Sequence, residues 1–136
     1  MLSNILGQYC DLVFSSIDKC YGPTFSLALR YIERHYQNKI TLEETAAAVM
    51  LSPTYFSRLF KEKMGQSFCS YINQLRVELA QQLLLNSQVS LAEIAGLVGF
   101  EDQSYFSRIF KQKMSVTPRY FRKRAKQFPR NNQEIH

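Results

Sequence analysis

The chain is poor in the residues that break helices: five glycines and four prolines among 136 residues, with no tryptophan. No run keeps the apolar/polar alternation of a half-buried strand for long, which argues against a sandwich or barrel. Histidine is scarcer still. Neither His35 nor the terminal His136 has a cluster of Cys, Asp or Glu around it in sequence, which excludes a recognisable metal site. The three cysteines, Cys10, Cys20 and Cys69, are odd in number, show no CxxC spacing and follow no signal peptide, so free thiols in a reducing cytosol are expected. Cys69 falls inside an apolar helical pattern and reads as a small core residue rather than a nucleophile. No apolar stretch is long enough to cross a bilayer. A cofactor loop, a paired-carboxylate motif and a Ser, Cys or His constellation are all missing, so the chain is not read as an enzyme and no cofactor is expected.

What is present points to an all-α protein. Hydrophobic residues make up 46% of the chain, ordinary for a folded domain, and the length suits one domain or two very small ones. The formal charge of +6 is unevenly placed, because residues 101–136 alone carry nine Lys and Arg against three Asp and Glu. Such a basic end favours a polyanion, either nucleic acid or an anionic membrane surface; a merely solvated tail is the alternative.

The organising feature is a repeat. YFSRLFKEKM, from Tyr55 to Met64, returns as YFSRIFKQKM from Tyr105 to Met114 with eight of ten positions identical. In each copy the apolar residues (Phe56, Leu59, Phe60, Met64 and Phe106, Ile109, Phe110, Met114) lie at helical spacing. The other side carries Ser57, Arg58, Lys61 and Ser107, Arg108, Lys111. A helix of this kind can sit on its own core while offering donors to an acidic partner.

The repeat extends upstream. Thr41-Leu42-Glu43-Glu44 and Ser90-Leu91-Ala92-Glu93 are both capping boxes, each starting a short alanine-containing helix. Ser52-Pro53 supplies an N-cap and first-position proline for one repeated helix, and Asp102 or Gln103 opens the other. Helix, short turn, helix is therefore written twice, the second turn being one residue longer. Between the units a pattern from Phe68 to Asn86 predicts one helix of 19 residues, about 28 Å long; Leu75 and Leu79 are expected to contact the first unit, Leu83 and Leu84 the second. A further helix from Thr24 to near Asn38 caps the first repeat. Residues 2–21 show an apolar stripe and read as a helix, although LVFSSI within them also fits a strand. Residues 1–23 are thus a linker or the end of an upstream domain, 24–66 the first unit, 67–87 the connecting helix, 88–127 the second unit and 128–136 a disordered tail.

With IAGLVGFEDQSYFSRIFKQKMSVTPRYFR in its second unit, the chain resembles the DNA-binding domain of AraC/XylS-type bacterial transcription regulators over about Phe25 to Lys126. The resemblance implies two homeodomain-like helix-turn-helix units, seven helices plus an extra N-terminal one, with the second helix of each unit placed in successive major grooves of double-stranded DNA. It implies transcriptional regulation, more often activation, with RNA polymerase as a partner and a cytoplasmic, nucleoid-associated location. A homodimer through an upstream domain or residues 2–21 is also expected, and no membrane. By the same resemblance Thr54, Ser57 and Arg58, and Gln103, Ser104, Ser107 and Arg108, face base edges, where Arg suits guanine and Gln adenine. Lys61, Lys111, Arg119, Arg122 and Lys123 are expected at phosphates. The alternative for Arg58 and Arg108 is a phosphate or an acidic neighbour. Tyr55 and Tyr105 are expected to flank the core rather than stack on a base.

Two positions depart from the family pattern: Ser115 stands where glycine is usual, and Met50 where the second unit has Gly99. A competing class, a helical protein-interaction module without specific DNA binding, leaves the recurrence of arginine and lysine at the same exposed positions unexplained.

Overall fold

A computed structural model describes residues 22–127. They form α1 (Pro23–His35), α2 (Leu42–Ala48), α3 (Pro53–Met64), α4 (Phe68–Asn86), α5 (Leu91–Val98), α6 (Gln103–Met114) and α7 (Pro118–Gln127), and no strand occurs among the described residues. The all-α fold with two helix-turn-helix units is as expected. The helix expected in residues 2–21 and the tail 128–136 lie outside the described residues.

Local chemistry starts almost every helix. Backbone amides of Glu44, Tyr55, Ser70, Glu93, Tyr105 and Tyr120 donate to the side-chain oxygens of Thr41, Ser52, Ser67, Ser90, Asp102 and Thr117, at 2.8 to 3.2 Å. Each such cap is worth about 1 kcal/mol. Prolines 23, 53 and 118 occupy first helical positions, where the missing N–H costs nothing. Helix α1 stops at His35, short of Asn38, and beyond it the carbonyls of Tyr36 and Asn38 accept from the Arg76 guanidinium, at 2.7 and 3.0 Å.

The chain divides into two compact units. Of the described residues, one takes 22–35 together with Lys39–Ser70; the other takes Tyr36–Asn38 and 71–127. The first is organised on Phe60, whose ring meets those of Phe25, Phe56 and Phe68 at 5.6, 5.8 and 5.7 Å between centroids. Ala28, Leu29 and Ile32 of α1 and Ala46 of α2 are buried in this unit as well. Ala46, fully buried, fills its place in α2 with a single methyl group.

In the second unit Val77, Ala80 and Leu84 of α4 pack with Ile94, Ala95 and Val98 of α5 and Phe106, Ile109 and Phe110 of α6. Phe110 also meets Phe121 of α7, at 5.6 Å. Two features differ from the sequence reading. Leu79 packs against this second core, as the division of α4 falls between Ser70 and Tyr71, earlier than the leucine spacing indicated. Cys69 is exposed, not core; it follows the buried Phe68 by one position, about 100° round the helix, and so falls off the buried stripe.

Candidate nucleic-acid interface

In each unit a left-handed residue makes the turn. Met50 has φ 60° and Gly99 φ 112°, nine positions after the caps Thr41 and Ser90. The next amide then returns to the preceding helix, Leu51 N–H to Ala46 O at 2.9 Å and Phe100 N–H to Ala95 O at 2.8 Å. The extra residue of the second turn is Glu101, between Phe100 and the Asp102 cap. Each turn thereby delivers the repeated helix with its aromatic stripe inward: Phe56, Phe60, Phe106 and Phe110 are all fully buried.

The opposite faces are open. Thr54, Ser57, Arg58 and Lys61 on α3, and Gln103, Ser104, Arg108 and Lys111 on α6, are exposed, while Ser107 is half-buried. Neither Arg58 nor Arg108 has a carboxylate or hydrogen-bond partner among the described residues. An acidic neighbour holding either one is therefore not what the fold provides. Each guanidinium instead lies near the ring three residues earlier, Arg58 Cζ at 5.9 Å from the Tyr55 centroid and Arg108 Cζ at 5.2 Å from that of Tyr105.

The two faces are not equivalent. On the first, Thr54, Ser57, Arg58 and Lys61 share an open groove of about 720 Å³ with Glu43 and Glu62. At the position of Glu62 the second copy has Gln112, so the α6 face carries Arg108 and Lys111 with no carboxylate of its own. The carboxylates of the second unit stand instead at the start of the helix, where Glu101 and the Asp102 cap are exposed and the first unit has Leu51 and Ser52.

Of the five residues expected at phosphates, Lys61, Lys111, Arg119 and Lys123 are exposed. Arg122 has partners inside the protein: its Nε donates to Leu84 O at 3.2 Å and its Nη2 to Ser87 O at 3.1 Å. The carbonyls at the end of α4 lack helical partners, and the guanidinium fork supplies them. Arg122 thus fixes α7 to the end of α4 and aims its neighbours Arg119 and Lys123 outward. Arg124, also exposed on α7, was not in the expected set; its only signal was the unbroken basic run Arg122-Lys123-Arg124. Among the described residues there is no group of His, Cys, Asp or Glu that could hold a metal, and no helix is long and apolar enough to cross a membrane.

Two capped helix-turn-helix units, each presenting a second helix with an unpaired arginine and a lysine outward, define a double helix-turn-helix protein. A helix-turn-helix domain family matches residues 45–124. Regulatory protein PocR of Salmonella typhimurium is 42% identical over 106 residues, covering 74% of this chain and 35% of PocR. The chain thus spans about a third of that relative's length. The C-terminal domain of AraT, a response regulator from Geobacillus stearothermophilus, superposes with a TM-score of 0.73 at 38% identity, covering 76% of this chain and 86% of that one. The DNA-binding domain of AdpA, solved in complex with a target DNA, has the same fold, with a TM-score of 0.73 at 24% identity over 76% of this chain and 94% of its own. The chain belongs to the AraC-type family of helix-turn-helix transcription regulators.

Proposed function

We propose that this chain binds double-stranded DNA sequence-specifically, with α3 and α6 each entering a major groove, and that it regulates bacterial transcription as an activator. One observation carries the reading: at the same position of both repeated helices an exposed arginine is left without any acidic or hydrogen-bonding partner among the described residues. Five N–H donors on a rigid fork match the two acceptors of a guanine edge, and leaving them unpaired serves no purpose in packing. Thr54, Ser57, Gln103, Ser104 and Ser107 complete the base-facing set. Lys61, Lys111, Arg119 and Lys123 neutralise phosphates and set register.

In this reading the protein acts on the nucleoid in the cytoplasm, without a cofactor, and meets RNA polymerase at the promoter. Residues 2–21 or an upstream domain supply a contact between two copies. A helical protein-interaction module is the weaker reading, since it gives the paired arginines no task.

Selection of bound duplexes from a random pool tests the proposal, followed by mobility shifts of the recovered site at several salt concentrations. With four phosphate-directed cations, log K should fall against log salt with a slope of about −3 to −4. A slope near zero, with no sequence recovered, would exclude duplex binding.

A further inference from the structure

Because α6 is read above as the helix that meets bases, the state of Arg108 before DNA arrives matters. A free arginine side chain samples many rotamers, and ordering it on binding costs affinity and blurs discrimination. Here that side chain already has a neighbour. Its Cζ lies 5.2 Å from the Tyr105 ring centroid, inside the reach of a cation–π contact. Residues three apart on a helix share a face, so the contact is local and independent of tertiary movement. The ring itself has a second, buried neighbour: Tyr105 meets Phe100 edge-on at 5.7 Å and 70°, and Phe100 is only 4% exposed.

In the first unit the same arrangement is looser. Arg58 Cζ is 5.9 Å from the Tyr55 centroid, at the limit of such a contact, and Tyr55 is 45% exposed. Leu51 stands where the second unit has Phe100, and no ring backs Tyr55 among the described residues.

We propose that Tyr105 is a positioning residue for base reading, holding the Arg108 guanidinium over its ring in the free protein, and that Tyr55 does this more weakly for Arg58. A ring face leaves the N–H donors unspent, unlike a carboxylate. The side chain is thereby pre-ordered without being neutralised. The second unit should consequently discriminate its base pair more sharply than the first.

The test uses the full chain and the duplex recovered by selection, with the base pair assigned to Arg108 varied. Tyr105→Leu should lower the preference for the cognate base pair about three- to fivefold, the size of an exposed cation–π contact. Tyr105→Phe should keep it, since the ring and not the hydroxyl is at work. In an Arg108→Ala background Tyr105→Leu should change the preference no further. Unchanged preference in folded Tyr105→Leu, or an equal loss in Tyr105→Phe, would overturn the proposal. Should Arg108→Ala itself leave the preference intact, the base-reading role of α6 fails, and the positioning role with it. A measurement on the unmutated protein guards against a misfolded variant. By NMR the side-chain δ protons of Arg108 should be shifted upfield by the ring, more than those of Arg58; random-coil shifts for Arg108 would also overturn the proposal.

Discussion

Met50 and Ser115 are the two non-glycine residues with positive φ among the described residues, at 60° and 69°. An L side chain in that region costs roughly 1–2 kcal/mol. Met50 is 93% exposed, so no packing offsets the strain. Replacing either by glycine should raise stability in urea unfolding by about 0.5–1 kcal/mol, the relief being partly offset by the larger unfolded-state entropy of glycine. An unchanged or lower midpoint would mean the side chain has a compensating role. Both positions were legible beforehand, because aligning the copies sets Met50 against Gly99 and Ser115 against Gly65. The exposure of Cys69 was not, since one residue's rotation about a helix decides it and the apolar pattern around it was long enough to fit either phase. At the interface, Arg108→Ala should cost about 1–3 kcal/mol of binding and relax the choice at one base pair. Lys111→Ala, by contrast, should weaken all sequences alike. Equal, sequence-independent losses from both would demote Arg108 to a phosphate contact.

Element positions depend on two arginines that sequence periodicity does not reveal. Arg76 donates to the carbonyls of Tyr36 and Asn38 and lies 5.6 Å from the Phe100 ring. Gly99 closes this knot: a Cβ there would stand 2.7 Å from Arg76 Nε and 2.7 Å from Tyr36 O. Gly99 is thus required twice, by its φ and by the close approach, whereas its counterpart Met50 answers only to φ and can carry a side chain into solvent. Gly99→Ala should therefore cost about 2–4 kcal/mol, combining left-handed strain with a displaced charged hydrogen bond. A loss below about 1 kcal/mol in urea unfolding would show that Arg76 can move aside freely. Arg122 does comparable work at the other end of α4. Arg122→Ala should destabilise by about 1–3 kcal/mol yet leave the salt slope of DNA binding unchanged, while Lys123→Ala should reduce that slope by about 1. Helix existence, the caps and the inward phenylalanines were readable because local spacing determines them. The division of α4 and these arginine clamps were not, because each joins residues far apart in sequence, as Arg76 and Tyr36 are.

For the molecule as a whole, two cases give different selection results: both units read DNA, or one reads while the other only adds charge. The repeat argues for two readers, since Ser57, Arg58 and Lys61 recur as Ser107, Arg108 and Lys111. The surroundings differ in where their carboxylates stand: Glu43 and Glu62 line the groove of the first helix, while the second has Gln112 in place of Glu62 and carries Glu101 and Asp102 at its start. Selection with Arg58→Ala and with Arg108→Ala separates these cases. If each unit reads its own half, the first variant should relax only one half of the recovered site and the second only the other. Contacts in separate halves share no partner, so their costs should add in the double variant to within about 0.5 kcal/mol. Removing a carboxylate should act in the opposite sense: Glu62→Gln gives the first helix the residue found in the second and should strengthen binding to all duplexes, more so at low salt, where an exposed charge is least screened. Arg58→Ala leaving the whole recovered site unchanged, with Glu62→Gln still raising affinity, would mean that the first unit contributes charge alone and the second does the reading.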